Sequence, residues 1–176
     1  MKKLIAICFV TFSFFLAPHA DAQLKKFRIG LGLEAALPVS NLDAYSVGGG
    51  LTIRAEVRVM NKLAVTLTSG AMAFQSKDYS GAYKQVALLN IPIKAGAKYT
   101  IVNHFYGMME LGVTQSSRYY KNATNDVEHV SEGSSFTYAP GLGLQLAGFD
   151  LGLRYEGFSK NNVSAGFLGF RAGFSF

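Results

Sequence analysis

Along most of this chain hydrophobic and polar residues alternate one for one. Over positions 27–33, Phe27, Ile29, Leu31 and Leu33 share one parity, while Arg28, Gly30, Gly32 and then Glu34 share the other. A period of two places the first set on one face of an extended strand and the second on the opposite face. Positions 47–59 repeat the scheme, with Val47, Gly49, Leu51, Ile53, Ala55, Val57 and Val59 set against Gly48, Gly50, Thr52, Arg54, Glu56 and Arg58. No helix would separate those sets.

The same pattern predicts six more strands. One begins at Leu63 and fades near Phe74, and one covers about 86–99 with Asn90, Lys94 and Lys98 on its polar face. Phe105, Met109, Leu111 and Val113 then oppose Tyr106, Met108, Glu110 and Thr114, and Phe136, Tyr138, Leu142, Leu144 and Leu146 oppose Thr137, Gly141, Gly143 and Gln145. In the last two, Phe149, Leu151, Leu153 and Tyr155 oppose Asp150, Gly152, Arg154 and Glu156, and Leu168, Phe170, Ala172, Phe174 and Phe176 oppose Gly169, Arg171, Gly173 and Ser175. The connections alternate in length. Those at 38–46, 75–84, 115–135 and 158–165 are long and polar, whereas those at 60–62, 100–104 and 147–148 are short. This layout predicts an all-β fold, an eight-stranded antiparallel up-and-down transmembrane β-barrel with short periplasmic turns and long external loops. Pro92 and Pro140 fall inside strands, so each needs a bulge or an end-of-ladder position.

Parity alone does not say which face is inside. A soluble barrel would carry its charges outward, but here the aliphatic face is broad and nearly free of charge, which suits lipid. The opposite face is rich in glycine, which suits a crowded lumen. An eight-stranded barrel is only just wide enough for its own side chains. Arg28, Glu34, Arg54, Glu56, Arg58, Lys94, Glu110, Arg154, Glu156 and Arg171, with Lys98 and Asp150 beside them, are therefore expected to form an interior charge network. Aromatic residues add two interfacial belts. Phe27, Tyr99, Phe105, Phe149 and Phe176 mark the periplasmic edge, and Tyr45, Tyr79, Tyr83, Tyr119, Tyr120, Tyr138 and Phe158 mark the outer edge or its loops.

The N-terminus adds an export signal: Lys2 and Lys3, an apolar run from Leu4 to Ala17, and a small-residue site at Ala20-Asp21-Ala22. The run is too short to span a bilayer as a helix. The expected organisation is thus a signal peptide at 1–22, cleaved after Ala22, followed by an outer-membrane barrel domain at 23–176. The chain's one cysteine, Cys8, lies within the removed segment, leaving no thiol for disulfide or metal chemistry. Removing Lys2, Lys3 and Asp21 reduces 17 basic and 11 acidic residues to 15 and 10, a net charge near +5. The basic residues form no run or stripe and no nucleic-acid-binding motif is present, so nucleic acid is not an expected partner.

The segment LLNIPIKAGAKY at 88–99 resembles the strand signature of the PorT-like outer-membrane β-barrel family, a group with the small-barrel architecture of OmpA-type proteins. The layout of the whole mature chain is similar to it as well. The resemblance implies a signal peptide and an eight-stranded barrel, and supplies no catalytic residue. One relative supports protein secretion and gliding. The closing alternation Phe170, Ala172, Phe174, Phe176 resembles the C-terminal signal by which barrels reach the insertion machinery. Expected partners are therefore outer-membrane lipids and lipopolysaccharide, that machinery during biogenesis, and an envelope protein.

Chemical motifs are sparse. There is no G-x-S-x-G, H-E-x-x-H, C-x-x-C or P-loop pattern, so neither cofactor nor metal is expected. Gly30-x-Gly32 and Gly141-x-Gly143 lie inside strands with no helix following, and small interior positions explain them better than a nucleotide loop. The third external connection holds Glu128, His129, Ser131 and Glu132, residue types from which a lipid A-modifying hydrolytic group could be built. A solvated polar loop explains them better, and no enzymatic activity is expected. The leading reading is a structural, adhesion or binding barrel whose third loop, with Arg118, Tyr119, Tyr120, Lys121 and the stretch Asp126 to Glu132, forms an exposed surface. The alternatives are an accessory of a secretion or assembly complex, a lipid A-modifying enzyme and a narrow solute channel.

Overall fold

The computed structural model describes residues 27–42, 44–77, 84–121, 127–160 and 163–176. The proposed signal segment, Tyr79, Tyr83 and Asp126 lie outside them. Eight strands follow in chain order: β1 Phe27–Ser40, β2 Tyr45–Arg58, β3 Leu63–Ser76, β4 Lys84–Val102, β5 Phe105–Lys121, β6 Val127–Leu146, β7 Phe149–Lys160 and β8 Val163–Ser175. Each pairs antiparallel with its sequence neighbour, and β8 returns to β1, so the sheet closes as a barrel without an edge. Closure runs from Gly30 opposite Ser175 to Ser40 opposite Gly166, and Ile29 and Phe176 exchange backbone hydrogen bonds of 3.0 and 2.9 Å. Pro38 lies where the β1–β8 register shifts, a bulge that accommodates its missing N–H.

The aliphatic parity faces outward. Leu31, Leu33, Leu51, Ile53, Leu67, Ile93, Leu111, Leu144 and Phe170 are all exposed, and together they make the apolar band that lipid requires of a barrel wall. At the end that holds both termini, Phe27, Tyr99, Phe105, Phe149 and Phe176 are exposed at strand ends. Outer-membrane barrels of this architecture keep both termini at the periplasmic end, and this end is called the inner one on that ground; the connections at the other end are shorter than the sequence implied, β7 and β8 being joined by 161–162 alone. The turn between β6 and β7 is Ala147-Gly148, with φ of 45° and 94°, the two positive values that a two-residue hairpin demands.

Three expectations need correction. First, the outer belt is smaller than the sequence implied, because Tyr45 and Phe158 point inward and are buried. Tyr138 does face outward, where its ring lies 6.0 Å from that of Tyr155. Second, the stretch 115–135 is not a loop. β5 and β6 continue as a paired ribbon from Ser116 opposite Gly133 to Lys121 opposite Val127. Third, neither proline inside the wall uses a bulge or a ladder end. The β3–β4 ladder keeps one register but opens between the Ser69–Ile93 and Met72–Asn90 pairs, across Pro92. The β6–β7 ladder opens in the same way between Tyr138–Gly157 and Gly141–Arg154, across Pro140. Each proline is thus placed where no N–H is asked for.

Candidate functional site

The polar parity of all eight strands converges in a lumen with no room to spare. Gly32 and Gly173 leave space for the guanidinium of Arg171, and Gly143 leaves space for the ring of Tyr106, since a Cβ at these glycines would lie within 2.6 Å of those groups. Around them five cations, Arg54, Lys94, Lys98, Arg154 and Arg171, meet five carboxylates, Glu34, Glu56, Glu110, Asp150 and Glu156. None of the ten is more than 7% exposed.

These groups form one connected network. Asp150 accepts from Arg54 at 3.1 Å, from Arg171 at 3.0 Å and from the Tyr106 hydroxyl at 2.5 Å. Arg171 donates to the Thr52 hydroxyl, which donates to Glu34, and Glu34 accepts from Arg154 at 2.5 Å. Arg154 also donates to Glu156, which takes Lys94 as its second partner. Thr68 accepts from Arg54 and donates to Glu110. Nearer the periplasm, Lys98 donates to Glu56 at 2.8 Å and to Gln145 at 2.7 Å while lying 4.3 Å from the Tyr106 ring centroid. Equal numbers of opposite charges, tied by hydrogen bonds, make burial tolerable, because an unpaired ion here would cost several kcal/mol.

Arg28 and Arg58 stand apart from this network. They occupy the last inward positions of β1 and β2, where the wall ends, so Arg28 is half-buried and Arg58 exposed. Among the described residues neither has an ion-pair partner. With Asn61, Thr100, Asn103, His104, Tyr106 and Gln145 they line an inner cup of about 290 Å³.

At the outer end the lumen changes character. Ala36, Leu42, Tyr45, Met72, Phe74, Leu88, Phe158 and Phe167 form an apolar plug. Phe167 lies 5.2 Å from Phe74 and 5.7 Å from Phe158, and the Arg154 guanidinium approaches its ring from the ionic side. Sequence reasoning gave the lumen as ionic and missed this layer. The signal was present in the parity, since Met72 and Phe74 share the face of Thr66 and Thr68.

Above the plug is an outer cup of about 330 Å³, with Leu42, Tyr45, Leu88 and Phe158 as an apolar floor and Asn41, Asn90, Ser116, Arg118, Glu132 and Lys160 among its polar walls. Arg118 pairs with Glu132 at 3.1 Å, and Lys160 donates to the Glu132 carbonyl. The hydrolytic residue types are not assembled in the ribbon. His129 stacks on Tyr119 at 6.1 Å, Ser131 accepts from Gln115 at 2.9 Å, and Glu132 is taken by Arg118. A further depression of about 500 Å³, around Leu31, Leu51, Leu151 and Ala172, opens onto the lipid-facing wall and belongs to the membrane surface.

An edgeless eight-stranded wall with an apolar exterior and a neutral ionic interior defines a small integral barrel of the outer membrane. The chain belongs to the family described as outer membrane protein beta-barrel domain, whose profile matches residues 6–176. No curated protein matches it in sequence. Among solved structures it is similar to Ail, the attachment invasion locus protein of Yersinia pestis, at 17% identity and a TM-score of 0.64, covering 86% of this chain and 98% of that one. The N-terminal β-barrel domain of Pseudomonas aeruginosa OprF matches at 10% identity and 0.63, covering 85% and 97%. Neisserial surface protein A matches at 13% and 0.50, covering 85% and 94%. At these identities the likeness is one of fold.

Proposed function

We propose that this protein is a closed outer-membrane barrel that acts by binding at its outer face, through the outer cup and the β5–β6 ribbon. The observation that carries this reading is the filled lumen. The ionic network occupies the middle, the apolar plug seals the outer end, and the polar chemistry left facing outward is that of the cup and ribbon. An apolar floor beneath charged and amide walls suits a ligand with both an apolar and a polar part, and strands hold all of the cup but Asn41 and Leu42. Cleavage after Ala22 belongs to the same reading, and the mass of the mature protein should correspond to a start at Gln23.

The test is site-specific photo-crosslinking in intact cells, with the crosslinker placed at exposed Glu128 in the ribbon. A discrete adduct with a protein, glycan or lipopolysaccharide from outside the barrel is expected. Its absence from Glu128, with adducts forming only from the turn residue Asn61, would move the reading to an accessory of an envelope complex. That second reading has its own support in the basic inner cup and in the resemblance of 88–99 to the PorT-like family. A lipid A-modifying activity has less, since His129, Ser131 and Glu132 are each held by other partners, and unchanged lipid A masses on overproduction are the expected outcome.

A further inference from the structure

Acidic and basic residues are not distributed alike between the two ends of the barrel. From Gln23 onward the chain has 15 basic and 10 acidic residues, and five of each are the lumen's. Among the described residues the other acids are Glu128 and Glu132, both in the β5–β6 hairpin at the outer end. The inner end receives, among the described residues, Arg28, Arg58 and Lys62, with no acidic side chain outside the lumen. Among the described residues the periplasmic mouth thus differs from the outer end in having basic side chains with no acidic side chain beside them outside the lumen.

A concave site stands at that mouth. Arg28 and Arg58 flank the inner cup, His104 lies on its rim, and Asn61, Asn103 and Gln145 supply amides. The acids nearest in the lumen are committed, Glu56 to Lys98, and Asp150 to Arg54, Arg171 and Tyr106. The Gln145 amide gives its oxygen to Lys98, while its Nε2 is buried without a hydrogen-bond partner. An unused donor, two guanidiniums without counter-ions and a polar cavity call for an oxyanion. The cup is lined by inner-end strand and turn residues, apart from the lipid-facing parity of the wall, so its ligand arrives from the periplasm. At about 290 Å³ it accommodates one or two side chains together with their backbone, for which the amides are suitable partners.

We propose that the periplasmic mouth is a docking site for a carboxylate-bearing peptide segment, with Arg28 and Arg58 taking an Asp or Glu side chain. It is independent of the outer-face reading. The test uses the full mature barrel, folded in zwitterionic detergent, titrated with fluorescent hexaglutamate, hexaglutamine and inorganic phosphate. Hexaglutamate should bind, hexaglutamine should not, and added salt should weaken binding. R28Q and R58Q should each weaken it roughly tenfold, the loss of about one charge-assisted hydrogen bond. Both positions lie outside the lumen network, and unchanged heat-modifiable gel mobility would show that the variants fold. Equal affinity in wild type and R28Q/R58Q would overturn the proposal. So would inorganic phosphate that competes at concentrations comparable to the peptide, since the cup would then be a site for free anions.

Discussion

Asp150 anchors three side chains at once, Arg54, Arg171 and Tyr106, at 1% exposure. Asp150→Leu is therefore expected to cost about 3–5 kcal/mol, the penalty for leaving buried cations short of a counter-ion. The midpoint of urea unfolding in lipid vesicles, followed by gel shift, measures it, and a change below about 1 kcal/mol would show that water or a neighbouring acid replaces the carboxylate. Ala147 offers the opposite sign. It holds φ 45° at the first turn position before Gly148, where Asn is the preferred residue. Ala147→Asn is expected to raise the unfolding free energy measured in the same way by roughly 0.5–1 kcal/mol. At this scale the sequence was only partly legible. Parity placed Asp150 inside, but its partner Arg54 lies 96 residues away, and no local pattern announces a pairing at that separation. The register of the closed barrel supplies it. The same limit misplaced Arg28 and Arg58, whose parity is inward but whose strands end too soon for burial.

Among the elements, the β5–β6 hairpin departs most from its expected form. Residues 115–135 lack an aliphatic face, because above the membrane neither face of a strand meets lipid, and so the alternation that marked the other strands vanishes there. The pairing persists, with β5 and β6 at 17 and 20 residues against 14 for β1, β2 and β3. Joining Ser117 directly to Ser131 through an Asn-Gly turn should remove the ribbon's tip and leave the barrel intact. The expected result is unchanged heat-modifiable mobility and a stability shift within about 0.5 kcal/mol, because the tip buries little and shortening a loop alters closure entropy slowly. Loss of folding would mean that the ribbon nucleates the β5–β6 pair. Pro92 and Pro140 were visible as anomalies in the sequence, and their resolution was not, because a ladder can open without a register change only where neighbouring turns of the wall hold both sides in place.

For the whole molecule, the barrel and its membrane face were legible from parity and strand count, which are periodic signals, whereas the long connections expected at 38–46 and 158–165 are largely strand. The axial layering was not legible, because the plug gathers inward-facing residues from six of the eight strands, each of which looks ordinary in its own strand. That layering determines whether the protein conducts. The ionic middle is neutral and hydrogen-bonded, and the outer end is apolar, so an ion entering from either side meets a packed barrier, and the folded protein should be silent in planar bilayers. Phe74→Ala with Phe167→Ala separates the two seals. Each truncation should cost about 3–5 kcal/mol in unfolding experiments, yet the double variant, if folded, should remain silent, because the network from Asp150 to Lys94 still fills the lumen beneath. Steady current through that variant alone would make the plug the only seal, and current through the wild type would sink the closed-barrel reading on which the binding function rests.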